Sequence, residues 1–182
     1  MAAGRGRLIV LAGLPGTGKT TLARELARRL DAVFLRIDSV ETALWRSVLQ
    51  IRPAEDAGYM AAYAVAEDNL RLGRTVIADS VNPIELTRAA WREVGVRAGC
   101  EVVEVEVVCS DLAEHRRRVE TRTADIEGHR LPSWADVTAR RYEPWAGERV
   151  VVDTSSTSVA DHVGLLVSLL GHMPDKRGGT EN

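Results

Sequence analysis

Gly13-Leu14-Pro15-Gly16-Thr17-Gly18-Lys19-Thr20 follows the pattern G-x-x-x-x-G-K-[ST], with Thr21 next in line. Before it, Arg7 to Ala12 is a short β-branched apolar run that reads as a strand. After it, Lys19 to Leu30 places Leu22, Ala23, Leu26, Ala27 and Leu30 on one helical stripe, with Arg24, Glu25, Arg28 and Arg29 facing out. A glycine-rich stretch between a strand and a helix has a mechanical meaning. Glycines at 13, 16 and 18, with Pro15 and Thr17 between them, let backbone N–H groups turn inward around phosphate oxygens, and the helix N-terminus adds its dipole. Lys19 is placed to neutralise β/γ-phosphate charge, and the Thr20 hydroxyl to ligate Mg²⁺. The expectation is a nucleoside triphosphate site for ATP with Mg²⁺.

Further along, short β-branched runs continue to alternate with longer helical patterns, as a parallel sheet with crossover helices requires. The strand candidates are Arg7 to Ala12, Ala32 to Ile37, Arg74 to Ala78, Glu101 to Val108 and Arg149 to Val152. Several are almost wholly apolar, as expected when both faces of a sheet are covered. The spacing predicts an α/β fold with a five-stranded parallel sheet and helices on both faces. Pro53 to Leu72 is Ala-rich and helical. Asn82-Pro83-Ile84-Glu85 reads as N-cap, N1 proline and capping-box glutamate, and Ser158 to Leu170 opens on Ser-x-x-Asp. Gly128 to Ser133 interrupts a helical signal and reads as a mobile flap. The expected organisation is one domain over 1–172, with an Arg-rich lid at about 111–145 and a flexible polar tail at 173–182.

The chain has 182 residues, 45% hydrophobic and 27% charged, which excludes disordered, fibrous and membrane-spanning classes. Its 24 basic and 26 acidic residues leave a net charge of −2, so no global positive field draws in nucleic acid. Lysine occurs only at Lys19 and Lys176, which makes Lys19 conspicuous. Cys100 and Cys109 flank a predicted strand that would hold them roughly 30 Å apart, too far to pair. With no disulfide framework, no secretory signal and no long apolar stretch, the expected setting is a reducing cytoplasm, with no membrane. No feature of the sequence fixes an oligomeric state.

Asp38 ends the second strand candidate, where carboxyl ends of parallel strands face the ligand crevice. A carboxylate there can orient an alcohol and accept its proton, or it can act as an N-cap with Glu41 completing a capping box. Asp79 closes the third apolar run, as a Walker B acid holding Mg²⁺ through water does; the alternative is a loop aspartate near a turn. Arg116, Arg117, Arg118 and Arg122 fall on a predicted helix, with Arg118 and Arg122 on one face. Such a pair can clamp a polyphosphate, with Arg130 closing from the flap, or it can be a solvated face paired with Glu114 and Glu120. Trp134, Tyr142 and Trp145 read as packing under the flap, and His115 and His129 as surface residues.

Together these segments resemble the P-loop kinase superfamily, in particular its small AAA-type, kinase-like ATPases, over about Leu8 to Leu170. The motifs that carry the resemblance are Gly13 to Thr20, Arg36-Ile37-Asp38, Ala78-Asp79-Ser80-Val81-Asn82, Cys109-Ser110-Asp111 and Val152-Asp153-Thr154-Ser155. The resemblance implies a P-loop NTPase fold with sheet order 2-3-1-4-5. It also implies Asp38 as base and Arg122 as flap arginine, as in the similar polynucleotide kinases and chloramphenicol phosphotransferases. An adenine pocket between a flap arginine and the Asp153 to Thr157 loop would bring in Thr154 and Ser155. Where polynucleotide kinases commonly carry a Thr-Asn pair, this chain has Ser80 and Val81. The lining expected for the acceptor, between Ser39 and Gly73, offers Trp45, Arg46, Arg52, Tyr59, Tyr63 and Asn69 without clustered positive charge. The expectation is an ATP-dependent kinase for a hydroxyl of a small molecule, a metabolite or an antibiotic. The alternatives are a 5′-hydroxyl polynucleotide kinase and a nucleotide-gated binding module without an acceptor.

Overall fold

A computed structural model describes residues 6–172, so the tail expected at 173–182 lies outside the described residues. Five strands, β1 (Leu8–Ala12), β2 (Val33–Arg36), β3 (Val76–Asp79), β4 (Val102–Val108) and β5 (Val150–Asp153), form one sheet in the order β2-β3-β1-β4-β5. Every pairing is parallel. Cys100 and Cys109, at the two ends of β4, are both free thiols.

Alternation along β1 sends its side chains to two separate cores. Ile9 and Leu11 meet Leu22 and Leu26 of α1 (Lys19–Leu30) and Val163, Leu166 and Leu170 of α7 (Val159–His172). Leu8 and Val10 meet Ala62, Ala66 and Leu70 of α3 (Ala57–Arg71) and Trp91 and Val94 of α4 (Glu85–Ala98). Each fully buried Leu or Ile contributes about 1.5–3 kcal/mol, so both faces of the sheet are strongly held. Among the described residues no helix is long and apolar enough to cross a membrane.

Two excursions from the carboxyl edge of this sheet carry α2, α3, α5 and α6. The first leaves β2 into α2 (Ile37–Arg46), runs to α3 and returns at β3. The second leaves β4 into α5 (Leu112–Thr121), passes an irregular segment to α6 (Trp134–Ala139) and returns at β5.

Local signals read correctly where the cap is local: Ser158 Oγ accepts from Asp161 N at 3.2 Å, at the start of α7. They fail at α4. That helix begins at Glu85, with Ile84 as N-cap and no side-chain cap bond from its own sequence. Its first N–H instead donates to Glu143 Oε2 at 2.8 Å, 58 residues away, and Asn82 is fully buried with φ +47°. Pro53 also lies outside helix α3, which begins at Ala57.

Candidate active site

The phosphate loop is shaped by close approach as well as by chain direction. At Gly16, φ is +86° and a Cβ would fall 2.4 Å from Val119 Cγ2 of α5. At Gly13, φ is +138° and a Cβ would fall 2.1 Å from the Val107 carbonyl oxygen. No L side chain fits either position. Within the loop, Thr17 Oγ1 donates to the Leu14 carbonyl at 3.0 Å and Lys19 Nζ to the same oxygen at 2.8 Å. His115 of α5, expected at the surface, is 4% exposed and bonds through Nε2 to the Pro15 carbonyl at 2.8 Å. Trp134 in turn meets His115 in a T-shaped contact, so α5 and α6 brace the loop from behind.

Above the loop opens a cleft of about 1560 Å³. Pro15, Gly16, Gly18, Lys19, Thr20 and Thr21 line its floor, and Arg118, Arg122 and Arg130 border it from the second excursion. Asp38 and Asp79 line it as well. Gly13, Thr17, Thr154 and Ser155 do not. Thr154 is taken up in structure: its Oγ1 accepts from Arg118 at 2.8 Å and donates to the Thr17 carbonyl at 2.8 Å. A second Arg118 bond runs to the Thr154 carbonyl at 2.9 Å, while Ser155 Oγ pairs with Ser110 Oγ at 3.1 Å. Arg118, and not Arg122, therefore meets the loop after β5 among the described residues.

Asp38 is the second residue of α2 and not the end of a strand, and that helix has no side-chain N-cap. The capping-box role with Glu41 is thus absent. Arg36, the last residue of β2, is 8% exposed and holds three carboxylates at once. Its NH2 donates to Asp38 Oδ2 at 3.2 Å and its NH1 to Asp125 at 3.0 and 2.8 Å, and its Nε lies 3.8 Å from Asp79 Oδ2. Asp125 also pairs with Arg24, whose side chain is partly solvent-exposed, as the helical stripe suggested, and lines the cleft mouth as well. Arg122 is the C-cap of α5, beyond the helix on which it was expected, and half-buried with its Nε and one terminal nitrogen unpartnered. His129, the second histidine expected at the surface, bonds to Thr42 Oγ1 at 3.3 Å, and its Nε2 lies 3.9 Å from Asp38.

Burial sets the electrostatics. It lowers the Lys19 ammonium to about 8, against the opposing pull of Asp79 and Asp38. It pushes the Asp79 carboxyl up, opposed by Lys19, Thr20 and Arg36. Burial also pulls Arg122 down, with Asp38 working the other way. Asp79 Oδ2 is buried without a hydrogen-bond partner, as an acceptor awaiting a cation or its water is. Among the described residues no group of three or more His, Cys, Asp or Glu is arranged to hold a metal by itself. Mg²⁺ rarely needs one, because substrate phosphates and water complete its shell. Thr20 and Asp79 fit that pattern.

Sequence patterns had not pointed to His115, Asp125 or Arg24 as parts of this site. Only His115 had a local signal, through its i, i+4 spacing to Val119 on the buried side of α5.

Of the residues that the acceptor lining was expected to offer, Trp45, Tyr59 and Tyr63 do line the cleft. Arg46 and Arg52 edge a separate dent, and Asn69 is spent on the Val65 carbonyl.

The comparisons with known proteins agree with this fold. A family model described as an AAA domain matches residues 8–144. A shikimate kinase of Frankia casuarinae is 33% identical over 96% of this chain and 76% of its own length. The protein named "Probable adenylyl-sulfate kinase" of Aeropyrum pernix is 27% identical over 91% of this chain and 93% of its own. The solved APS kinase of Mycobacterium tuberculosis, in complex with AMPPNP and APS, superposes with a TM-score of 0.68 at 20% identity, covering 92% of this chain and 99% of that one. A phosphate loop on a 2-3-1-4-5 sheet, matched by that model over most of the chain, makes this protein a member of the AAA-domain family within the P-loop kinase superfamily.

Proposed function

We propose that the protein is an ATP-dependent kinase that transfers the γ-phosphoryl group to a hydroxyl of a small molecule. The observation that carries this reading is the placement of Asp38, tied to Arg36 and lining the same cleft as Lys19 and the unpartnered donors of Arg122. Asp38 would orient the acceptor hydroxyl and take its proton as the new O–P bond forms and the bond to the β–γ bridging oxygen breaks, leaving ADP. Lys19 and Arg122 would offset charge on the phosphoryl oxygens. Thr20 and Asp79 would hold Mg²⁺, which would supply positive charge to offset the negative charge of the phosphates. Gly13 and Thr17 would act by shaping the loop, and Arg118 with Thr154 and Ser155 by walling the base pocket. Arg130 would close from the lid.

A polynucleotide acceptor is disfavoured, because strand binding rests on rows of Lys and Arg at the phosphates. Between residues 37 and 90 the cleft is lined by none. A reducing cytoplasm suits an ATP-consuming enzyme with two free thiols.

The test is incubation with γ-labelled ATP and Mg²⁺ against a pooled library of sugars, nucleosides, oligonucleotides and antibiotics. A labelled small molecule is the expected product. In Asp38→Asn, ATP binding should persist while transfer falls about 10²–10⁴-fold, and full transfer by that variant would remove the base assignment.

A further inference from the structure

The wall of the cleft that faces the phosphate loop is built from residues 37–90, and its charges all have one sign. Asp38, Glu41, Glu55, Asp56 and Asp79 line the cleft from this stretch, and no Lys, Arg or His does. Cations gather elsewhere: Lys19, Arg24, Arg36 and Arg122 around the loop and the Asp125 latch, and Arg130 and Arg140 on the lid beside Asp136. Asp38 and Asp79 have partners in Arg36 and Lys19. Glu41 does not.

Glu41 lies one helical turn beyond Asp38 on α2, so the two side chains share a face. Its stem is pinned against Gly58 of α3, where a Cβ would fall 2.5 Å from Glu41 Cγ. Half-buried at the cleft, its carboxylate makes no hydrogen bond or ion pair among the described residues. Burial and then Asp38 push this carboxyl up, and the opposing pull of Arg140 is smaller, so the local field is acidic. A second observation is independent of charge. Ser80 Oγ, in a residue 5% exposed on the same wall, has only the Tyr59 hydroxyl beside it and no well-formed hydrogen bond, so its acceptor lone pairs stay open. The surfaces between these polar points are apolar, from Trp45, Tyr63, Ile84 and Leu86.

We propose that this pocket takes a hydroxylated acceptor bearing a protonated amine on an apolar frame, and that Glu41 selects it by receiving the ammonium one helical turn from Asp38. Ser80 Oγ is left for a further polar group of the same molecule. Shikimate and adenylyl sulfate, named for the relatives, are anions, and an anion seated at Glu41 would meet that carboxylate and Asp38 on the same helix face. The word acceptor rests on the kinase reading; the selectivity of the pocket does not.

The test uses the full chain with Mg²⁺ and AMPPNP at pH 7, and three benzyl alcohols alike in size, with a para aminomethyl, methyl or carboxylate group. Affinities are read by ligand-observed NMR titration, and γ-labelled ATP is used in parallel to score transfer. The amine should bind about tenfold more tightly than the methyl compound and the acid more weakly still, one half-buried ion pair being a factor of about that size. Glu41→Gln, isosteric and checked by its melting midpoint, should remove most of the amine's advantage. Preference for the acid, equal affinities, no binding by any of the three, or a preference that survives Glu41→Gln would each overturn the inference. If the amine binds first but neither a probe nor any member of the pooled library is phosphorylated while ATP binds, the kinase reading fails and the pocket assignment stands.

Discussion

Lys19 is buried under the loop it serves, and its ammonium is drawn down from 10.5 to about 8. An unfolded chain keeps this proton up to its ordinary range, so between about pH 8 and 10.5 the unfolded state binds more protons than the folded one. The contribution of Lys19 to stability therefore rises with pH across that window, and below it the buried charge is a cost. A bound triphosphate reverses the balance by restoring negative charge beside the amine. Nucleotide binding at pH 8.5 should accordingly take up a fraction of a proton. Calorimetry in buffers of different ionisation enthalpy would show this as a slope, and a flat response would mean that Lys19 is already fully charged in the free protein. A depressed amine at the phosphates is invisible in the motif, which specifies a lysine but not how dry its surroundings are.

At the scale of elements, the irregular segment after α5 is tied to the end of β2 and to α1 through one carboxylate. Asp125 ties it to Arg36 at the end of β2 and to Arg24 on α1, and Arg122 lies three residues earlier in the same segment. Asp125→Asn should raise hydrogen exchange in 122–133 several-fold and lower phosphoryl transfer about tenfold. Glu127→Gln, which touches only the exposed pair with Arg46, should do neither. Equal exchange in both variants would show that the latch is idle. What could be read in advance divides along the same line. The five strands, α1 and α7 follow from local periodicity and local caps. The start of α4 misled because its cap comes from Glu143 across the fold, and Asp38 was placed on a strand because the apolar run to Ile37 hides where α2 begins. The pairing of Arg24 was missed because a helical stripe cannot report a partner 101 residues away. The phosphate-loop residues and the two cleft aspartates were legible because motif and strand end lie next to each other in the chain. His115 and Asp125 were not, because only the tertiary fold brings them there.

Across the whole molecule, the turn after β3 and the second excursion are joined by one buried cation. Arg88 of α4 is fully buried and donates to four carbonyls: Asn82 at 3.2 Å, Pro83 at 3.2 Å, Glu143 at 2.8 Å and Pro144 at 3.2 Å. Its guanidinium lies 4.0 Å from the Trp145 ring centroid and 5.2 Å from that of Tyr142. Trp145 and Tyr142 thus pack on Arg88, and not only under a flap. Arg88→Met keeps most of the volume but strands several buried acceptors, and should cost about 3 kcal/mol of unfolding free energy in a denaturant titration. Protease sensitivity should appear around 141–146, and an unchanged midpoint would mean that the four carbonyls find other donors. The strand order has a different consequence. β2 and β3 are neighbours, and so are β4 and β5, so each half of the cleft is a detour that departs from one strand and rejoins at the adjacent one. A lineage can lengthen, trim or replace the detour over 39–75, beyond Asp38, without shifting the register of any strand or displacing the loop at 13–20. Chemistry and choice of substrate are thereby inherited on separate stretches of chain. Descendants of one ancestral enzyme are free to diverge in what they modify while the machinery of transfer stays the same.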